Sequence, residues 1–234
     1  EGPAYNVQRA VDVRHGVILA HAVTEEATDN RSLQPMAEAA RDALGVETLK
    51  VVADAGYSNG AQVEALEQQG IEAHLPVNRS INNQGDGEFF DRSEFAYEAN
   101  SDRYRCPAGQ WLLRKQLHRK DRTVTYAAPA ESCAGCALKA RCTGAARRLI
   151  TRYLHDEALQ KVAARTTAAH MRLRRETVER PFAELKWRIF GHPRFLMRGR
   201  RGAGTEMAIG VLGYNLKQAL RALSPVGLIA ALAS

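Results

Sequence analysis

An α/β fold interrupted by a Cys-rich β insertion is what the order of elements predicts. A strand hairpin, a helix, a strand, a second helix and a further strand follow one another over residues 1–77. Periodicity then fades over residues 78–146, where all four Cys lie, and helical spacing returns at about Asp156 within residues 147–234. Strands alternating with helices form a sheet covered by helices, and a Cys cluster in a stretch of weak periodicity marks a segment organised by something other than a large apolar core.

Tyr5 to Val13 and Gly16 to Thr24 read as two strands joined by a short polar link that ends in Gly16, which makes a hairpin. Asp29, Asn30 and Ser32 offer helix caps before Leu33, Met36, Ala37, Ala40 and Leu44, which recur at helical spacing until Gly45. Thr48 to Ala53 is a short apolar strand running into Asp54-Ala55-Gly56-Tyr57. A second helix spans Gly60 to Gln69, and Ile71 to Val77 is the next strand. Asn82 to Gly87 reads as a polar loop. Short β stretches centre on Phe95–Tyr97, Trp111–Leu113 and Val124–Tyr126. The last long helix, Glu206 to Leu223, carries Met207, Ile209, Val211, Leu212, Leu216 and Leu220 nearly all round, so burial is the expectation.

The chain has 234 residues, 45% of them hydrophobic, enough for a real core. No apolar run approaches the roughly 20 residues that cross a bilayer, and no signal-peptide layout opens the chain, so a soluble intracellular protein without membrane contact is expected. The formal charge of +7 is unevenly spread. Residues 1–100 hold 7 Lys+Arg against 17 Asp+Glu, and residues 101–234 hold 26 against 9. The basic half suits a polyanion, because clustered cations displace counterions from phosphate backbones; a merely solvated basic surface is the alternative.

Asp54 stands where a strand ends and a Gly-containing turn begins, the edge at which open α/β sheets bind ligands. A turn aspartate bonding its own backbone is the plainer reading. Glu179 lies in the run Arg174 to Lys186, and Arg172, Arg175, Glu179 and Lys186 share a face of a continuous helix. That face suits a metal ligand beside bound phosphate, or an ordinary salt-bridged surface. Together, a strand-end Asp and a helix-borne Glu are a way to hold divalent metal for phosphodiester chemistry, and their hard oxygens favour Mg²⁺ or Mn²⁺. Cys106, Cys133, Cys136 and Cys142 contain one CxxC pair and can close a tetrahedral thiolate site for structural Zn²⁺. Disulfides fit an intracellular chain poorly. His15, His21 and His192 lack ligand spacing, and no P-loop or nucleophile elbow is present.

The stretches YNVQRAVDVRHGVILAHAVT, VVADAGYSNG, YRCPAGQ with CAGCALKARC, RRETVERPFAELK and TEMAIGVLGYNLKQAL, in that order, resemble the DDE transposases of bacterial insertion sequences. The resemblance implies a ribonuclease-H-like mixed sheet with flanking helices. It implies carboxylates that bind Mg²⁺ for DNA cleavage and strand transfer, a homodimer on element ends and target DNA, and a bacterial cytoplasmic, nucleoid-associated setting. Asp54 of DAGY matches the family's second Asp, and Glu179 of VERPF its Glu. Arg175 and Lys186 match the signature Arg and Lys that meet DNA, whereas Arg172 stands at the signature Tyr position. In that fold three strands precede the first helix and the first strand carries the first Asp. Only two precede the helix at Leu33, so the strand with the first Asp is expected upstream of Glu1, with Asp12 the fallback. A related metal-dependent nuclease, or a zinc-bearing DNA-binding remnant, is the competing expectation.

Overall fold

The computed structural model describes residues 5–77, 89–120, 122–192 and 194–233. The polar loop read at Asn82 to Gly87 lies outside them. The chain divides into two compact units, Glu1–Asn78 with Glu157–Ser234, and Arg79–Asp156.

In the first unit, β1 (Asn6–Val11) and β2 (Ile18–Thr24) pair antiparallel. Their turn closes through the Asp12 N–H to the Val17 carbonyl, 2.9 Å, and the Gly16 N–H to the Asp12 carbonyl, 2.9 Å. Gly16 takes φ +68°, where a Cβ is strained, and this is why the link ends in glycine. Helix α1 (Leu33–Leu44) leads to β3 (Leu49–Val52), and α2 (Gly60–Gln68) returns the chain so that β4 (Ile71–His74) lies parallel to β3. Leu33, Val63, Leu66, Ile71 and Leu75 form a core with Val162 of α5 (Asp156–Arg165). The two strand pairs are separate two-stranded sheets.

Helix α6 (Ala168–Glu184) starts at Thr167, whose hydroxyl accepts the His170 N–H, and runs into a π-helical turn, Leu185–Ile189. Pro181 sits inside α6 and removes one helix donor shortly before that wider turn. The final helix, α7 (Gly199–Leu232), differs from the all-round burial its composition predicts. Ala203, Met207, Gly210, Val211 and Tyr214 are buried, while Ile209 and Leu212 are 66% and 69% exposed. The buried stripe recurs at helical spacing and packs on Ile18 and Leu185. Asn215 fixes this seat: its Oδ1 accepts the Ile18 N–H and its Nδ2 donates to the Ile18 carbonyl, 2.8 Å each.

The second unit is one five-stranded antiparallel sheet: β5 (Ala96–Glu98), β6 (Arg103–Arg105), β7 (Trp111–His118), β8 (Thr123–Ala127) and β9 (Leu149–Tyr153), paired in sequence order. The short helices α3 (Ala130–Ala134) and α4 (Lys139–Cys142) lie between β8 and β9. Because β9 pairs with β8, the sheet runs beyond the Ala146 boundary expected from sequence. Its core joins Phe95, Tyr104, Leu112, Val124, Tyr126 and Ile150. Tyr126 and Tyr97 both donate hydroxyl hydrogen bonds to Asp102, so the buried rings bring no orphaned polar group.

Candidate active site

Pairing of β3 with β4 continues one residue past β3, through the Ala53 N–H to the His74 carbonyl, 2.9 Å. The chain then turns, and Asp54 caps a single 3-10 turn, Ala55–Tyr57. Its Oδ1 accepts the Gly56 N–H at 2.9 Å, as the plain turn reading predicts. That bond leaves Oδ2 free to bind elsewhere, and it holds the Arg174 guanidinium of α6 at 2.6 Å. The Asp54 side chain is 39% exposed and Arg174 25%, so this ion pair is solvent-screened and worth little stability. A partly exposed carboxylate oxygen facing a cation is instead a site where one cation can be exchanged for another.

A second carboxylate borders the same turn. A Cβ built on Gly56 would lie 3.1 Å from Asp54 Oδ1 and 3.3 Å from Asp29 Oδ2, so this glycine is what lets the backbone pass between the two acids. Asp29 is held by Asn6 and Gln8 of β1, whose side-chain amides both donate to its Oδ1 at 2.6 Å. The Tyr57 hydroxyl donates to Gln8 in turn. Burial first, then the negative charge of Asp29 and Asp54, pushes the Tyr57 hydroxyl up to about 12. Sequence reasoning offered Asp29 only as a helix cap; its position just after β2 was the available signal.

Arg9 of β1 is the other unusual charge. Burial pulls its guanidinium down to about 10, with Arg174 adding to the effect against the pull of Tyr57 and Tyr214. Its Nε and Nη1 are buried without a hydrogen-bond partner, and the guanidinium lies 4.4 Å from the centre of the Phe182 ring. Arg9, Val11, Val51, Asp54, Leu173 and Arg174 line one groove of about 340 Å³, with the apolar side of α1 along it.

Glu179 lies five residues beyond Arg174, which at ~100° per residue places it on another side of α6. It is exposed there, with Arg172 and Arg175 exposed as well. Lys186 falls in the π-helical turn, its ammonium 5.0 Å from the Trp187 ring centre and 5.7 Å from that of Phe182. Asp12 is occupied by the hairpin: its Oδ2 accepts the His15 N–H at 2.7 Å. Burial raises the Asp12 carboxyl, but donation from His15 and Arg14 outweighs it and holds the group below the usual carboxylate range.

Among the described residues, no three His, Cys, Asp or Glu side chains are gathered so as to hold a metal ion. This corrects the expected convergence of the four sulfurs. Cys106, Cys133, Cys136 and Cys142 all border one pocket, but they are carried by separate segments, the turn after β6 and the α3–α4 stretch, and stand open as free thiols. Burial pushes the Cys142 thiol up, with Arg148 pulling it down and the other three sulfurs pushing it further up.

A family model described as Transposase DDE domain matches residues 3–216, most of the chain. Comparison with curated proteins and with solved structures gives no match.

Proposed function

The chain belongs to the transposase DDE domain family, and on that footing we propose that it is the catalytic region of a transposase, cleaving and transferring DNA strands with divalent metal. Asp54 and Glu179 are the catalytic carboxylates within it, and Mg²⁺ or Mn²⁺ is the ion their oxygens suit. When bound, such an ion stabilises charge on the phosphate oxygens. The chain's own part is positional. The Gly56 N–H fixes Asp54 Oδ1 so that Oδ2 faces the groove, and Arg174 stands as the cation that an incoming ion displaces or shares. Arg172 and Arg175, exposed on α6, and Lys186 just beyond it, meet DNA phosphates and set its register. A homodimer on paired DNA ends, in the bacterial cytoplasm at the nucleoid, completes the reading.

The observation that carries it is the groove at Asp54. Among the described residues β1 pairs only with β2 and β3 only with β4, yet both β1 and β3 line this groove. A strand inserted there, ~4.8 Å from each neighbour, would join the two pairs into one ribonuclease-H-like mixed sheet. The unpartnered nitrogens of Arg9 call for an anion on that strand, the first catalytic Asp. A third carboxylate on such a strand would complete the set that Asp54 and Glu179 begin.

The test is Mg²⁺-dependent cleavage of terminal-repeat DNA by the chain with and without its natural upstream segment. The 234-residue chain should bind DNA, with affinity falling steeply in salt, and cut little; the longer protein should cut, and Asp54→Ala or Glu179→Ala should abolish cutting while binding persists. Robust cutting by the 234-residue chain would show that a carboxylate within it, Asp12 first, completes the set. A nuclease would cut without joining ends to target.

A further inference from the structure

Where the end of α6 and its π-helical turn meet α7, the surface carries a cluster of charge with no part in the chemistry at Asp54. Arg180, Glu184, Trp187, Arg188 and Arg221 line a pocket of about 340 Å³ there. We infer that this pocket is a stacking site for one unpaired nucleotide of DNA, with the base on the Trp187 indole and its phosphates on Arg180, Arg188 and Arg221. Resting on the DNA-binding reading, the site adds to it a preference for single-stranded ends over duplex.

Helix geometry brings the lining together. Arg180, Glu184 and Arg188 recur every four residues and Trp187 lies three past Glu184, so they share one face of α6 and the turn that prolongs it. Arg221 comes from α7. Glu184 is the buried member, and the Lys217 ammonium of α7 donates to its Oε1. That bond holds the Glu184 carboxyl below its ordinary range against the opposing effect of burial, with Arg221 and Arg188 adding to the pull. Since Lys217 already matches this acid, the three guanidiniums are charge in excess. All three are exposed, and among the described residues none is held in an ion pair. Cations that share one pocket repel one another and are stabilised by an anion placed among them.

Trp187 selects the kind of anion. It is 59% exposed, and among the described residues no other aromatic ring packs on it. The Lys186 ammonium, 5.0 Å from the ring centre, adds a further cation beside it. An exposed indole among cations is the pairing that single-stranded nucleic acid uses, because the ring takes a base face while the cations take the backbone. In a duplex each base face is covered by its neighbours, so only an unpaired or terminal base offers one. The pocket falls within the about 300–1,000 Å³ of small-ligand clefts, room for a single nucleotide and not for a duplex. Every base has such a face, so the site should tolerate any sequence.

The experiment uses the full chain carrying Trp111→Phe, which leaves Trp187 as its one tryptophan, and needs neither divalent metal nor cleavage. The probes are a labelled blunt duplex, the same duplex with a short thymidine overhang, and that overhang made abasic, with affinity read from anisotropy. Overhang DNA should bind about tenfold more tightly than blunt duplex and quench the Trp187 fluorescence, and the abasic overhang should do neither. Trp187→Ala should abolish the preference while blunt-duplex affinity and circular dichroism stay unchanged, and Trp187→Phe, which keeps a ring, should retain part of it. Arg221→Gln should lower the salt dependence of overhang binding by about one unit of slope. An abasic overhang that binds as tightly as the thymidine one would overturn the base stack. Equal affinity for blunt and overhang DNA would overturn the site and leave the DNA reading standing, whereas failure to bind either would overturn both.

Discussion

The two units treat their strands in opposite ways. In residues 89–156 every strand finds its neighbour in sequence order, giving one continuous five-stranded sheet in which Leu112 and Ile150 are fully buried. Among the described residues of the first unit four strands make two separate pairs, and the groove that β1 and β3 line holds a guanidinium with two buried, unpartnered nitrogens and a carboxylate shared with Arg174. Neighbour-in-sequence pairing leaves no gap inside the sheet. Two separate strand pairs leave edges and charges uncompensated, and those are the features that locate a candidate site.

The contrast can be broken most forcefully in the ladder. Leu112→Ala removes a fully buried side chain and should cost about 2–5 kcal/mol, whereas Val51→Ala at the groove should cost about 1 kcal/mol. The chain's two Trp lie one in each unit, Trp111 in β7 and Trp187 beyond α6, so urea unfolding followed by fluorescence of Trp111→Phe and Trp187→Phe backgrounds reads each unit separately. Equal losses would erase the difference between the continuous sheet and the two separate strand pairs.

Next in size is Gly210 on α7. A Cβ there would run into the Phe190 ring, so Gly210→Ala must push the ring aside and should cost about 1–3 kcal/mol in the first unit, read by Trp187. A pH effect sharpens the other side. Burial raises the Asp102 carboxyl, but donation from Tyr126 and Tyr97 and the nearby Arg114 outweigh it, so the folded value lies below the ordinary one. That stabilisation is complete above the unfolded carboxyl range and is lost as pH falls through the folded value. Acid unfolding of the ladder, followed at Trp111, should therefore flatten in Asp102→Asn. The smallest effects belong to α6: Arg172→Gln and Arg175→Gln should each lower the salt dependence of DNA binding by about one unit of slope and leave folding unchanged.

Much of this was legible in sequence where a short-range signal settles the structure. The β1–β2 hairpin follows from alternation and Gly16, and Asp54 from an apolar strand running into a Gly turn. The cysteine spacing predicted a tetrahedral thiolate site, and the structure gathers no three of these side chains so as to hold a metal. What was illegible depends on direction. Apolar residues nearly all round α7 give no preferred face, and only the seat on Ile18 selects Met207 and Tyr214 over Ile209 and Leu212. On α6 the sequence offered a row of cations without saying that Arg174 turns inward to Asp54 while Glu179, Arg172 and Arg175 stay outside. Asp29 joined the site only through Asn6 and Gln8, a pairing across more than 20 residues that no local pattern encodes.

The proposal at stake is that Asp54 and Glu179 share a divalent ion in the DNA complex, which requires the side of α6 that carries Glu179 to come round to Asp54. Fe²⁺ with ascorbate, added to the longer protein in place of Mg²⁺, cuts backbone wherever the ion is held. The account predicts cuts near both residue 54 and residue 179, suppressed together by Mg²⁺ and by Asp54→Ala. Cuts near residue 54 with none near residue 179 would contradict it.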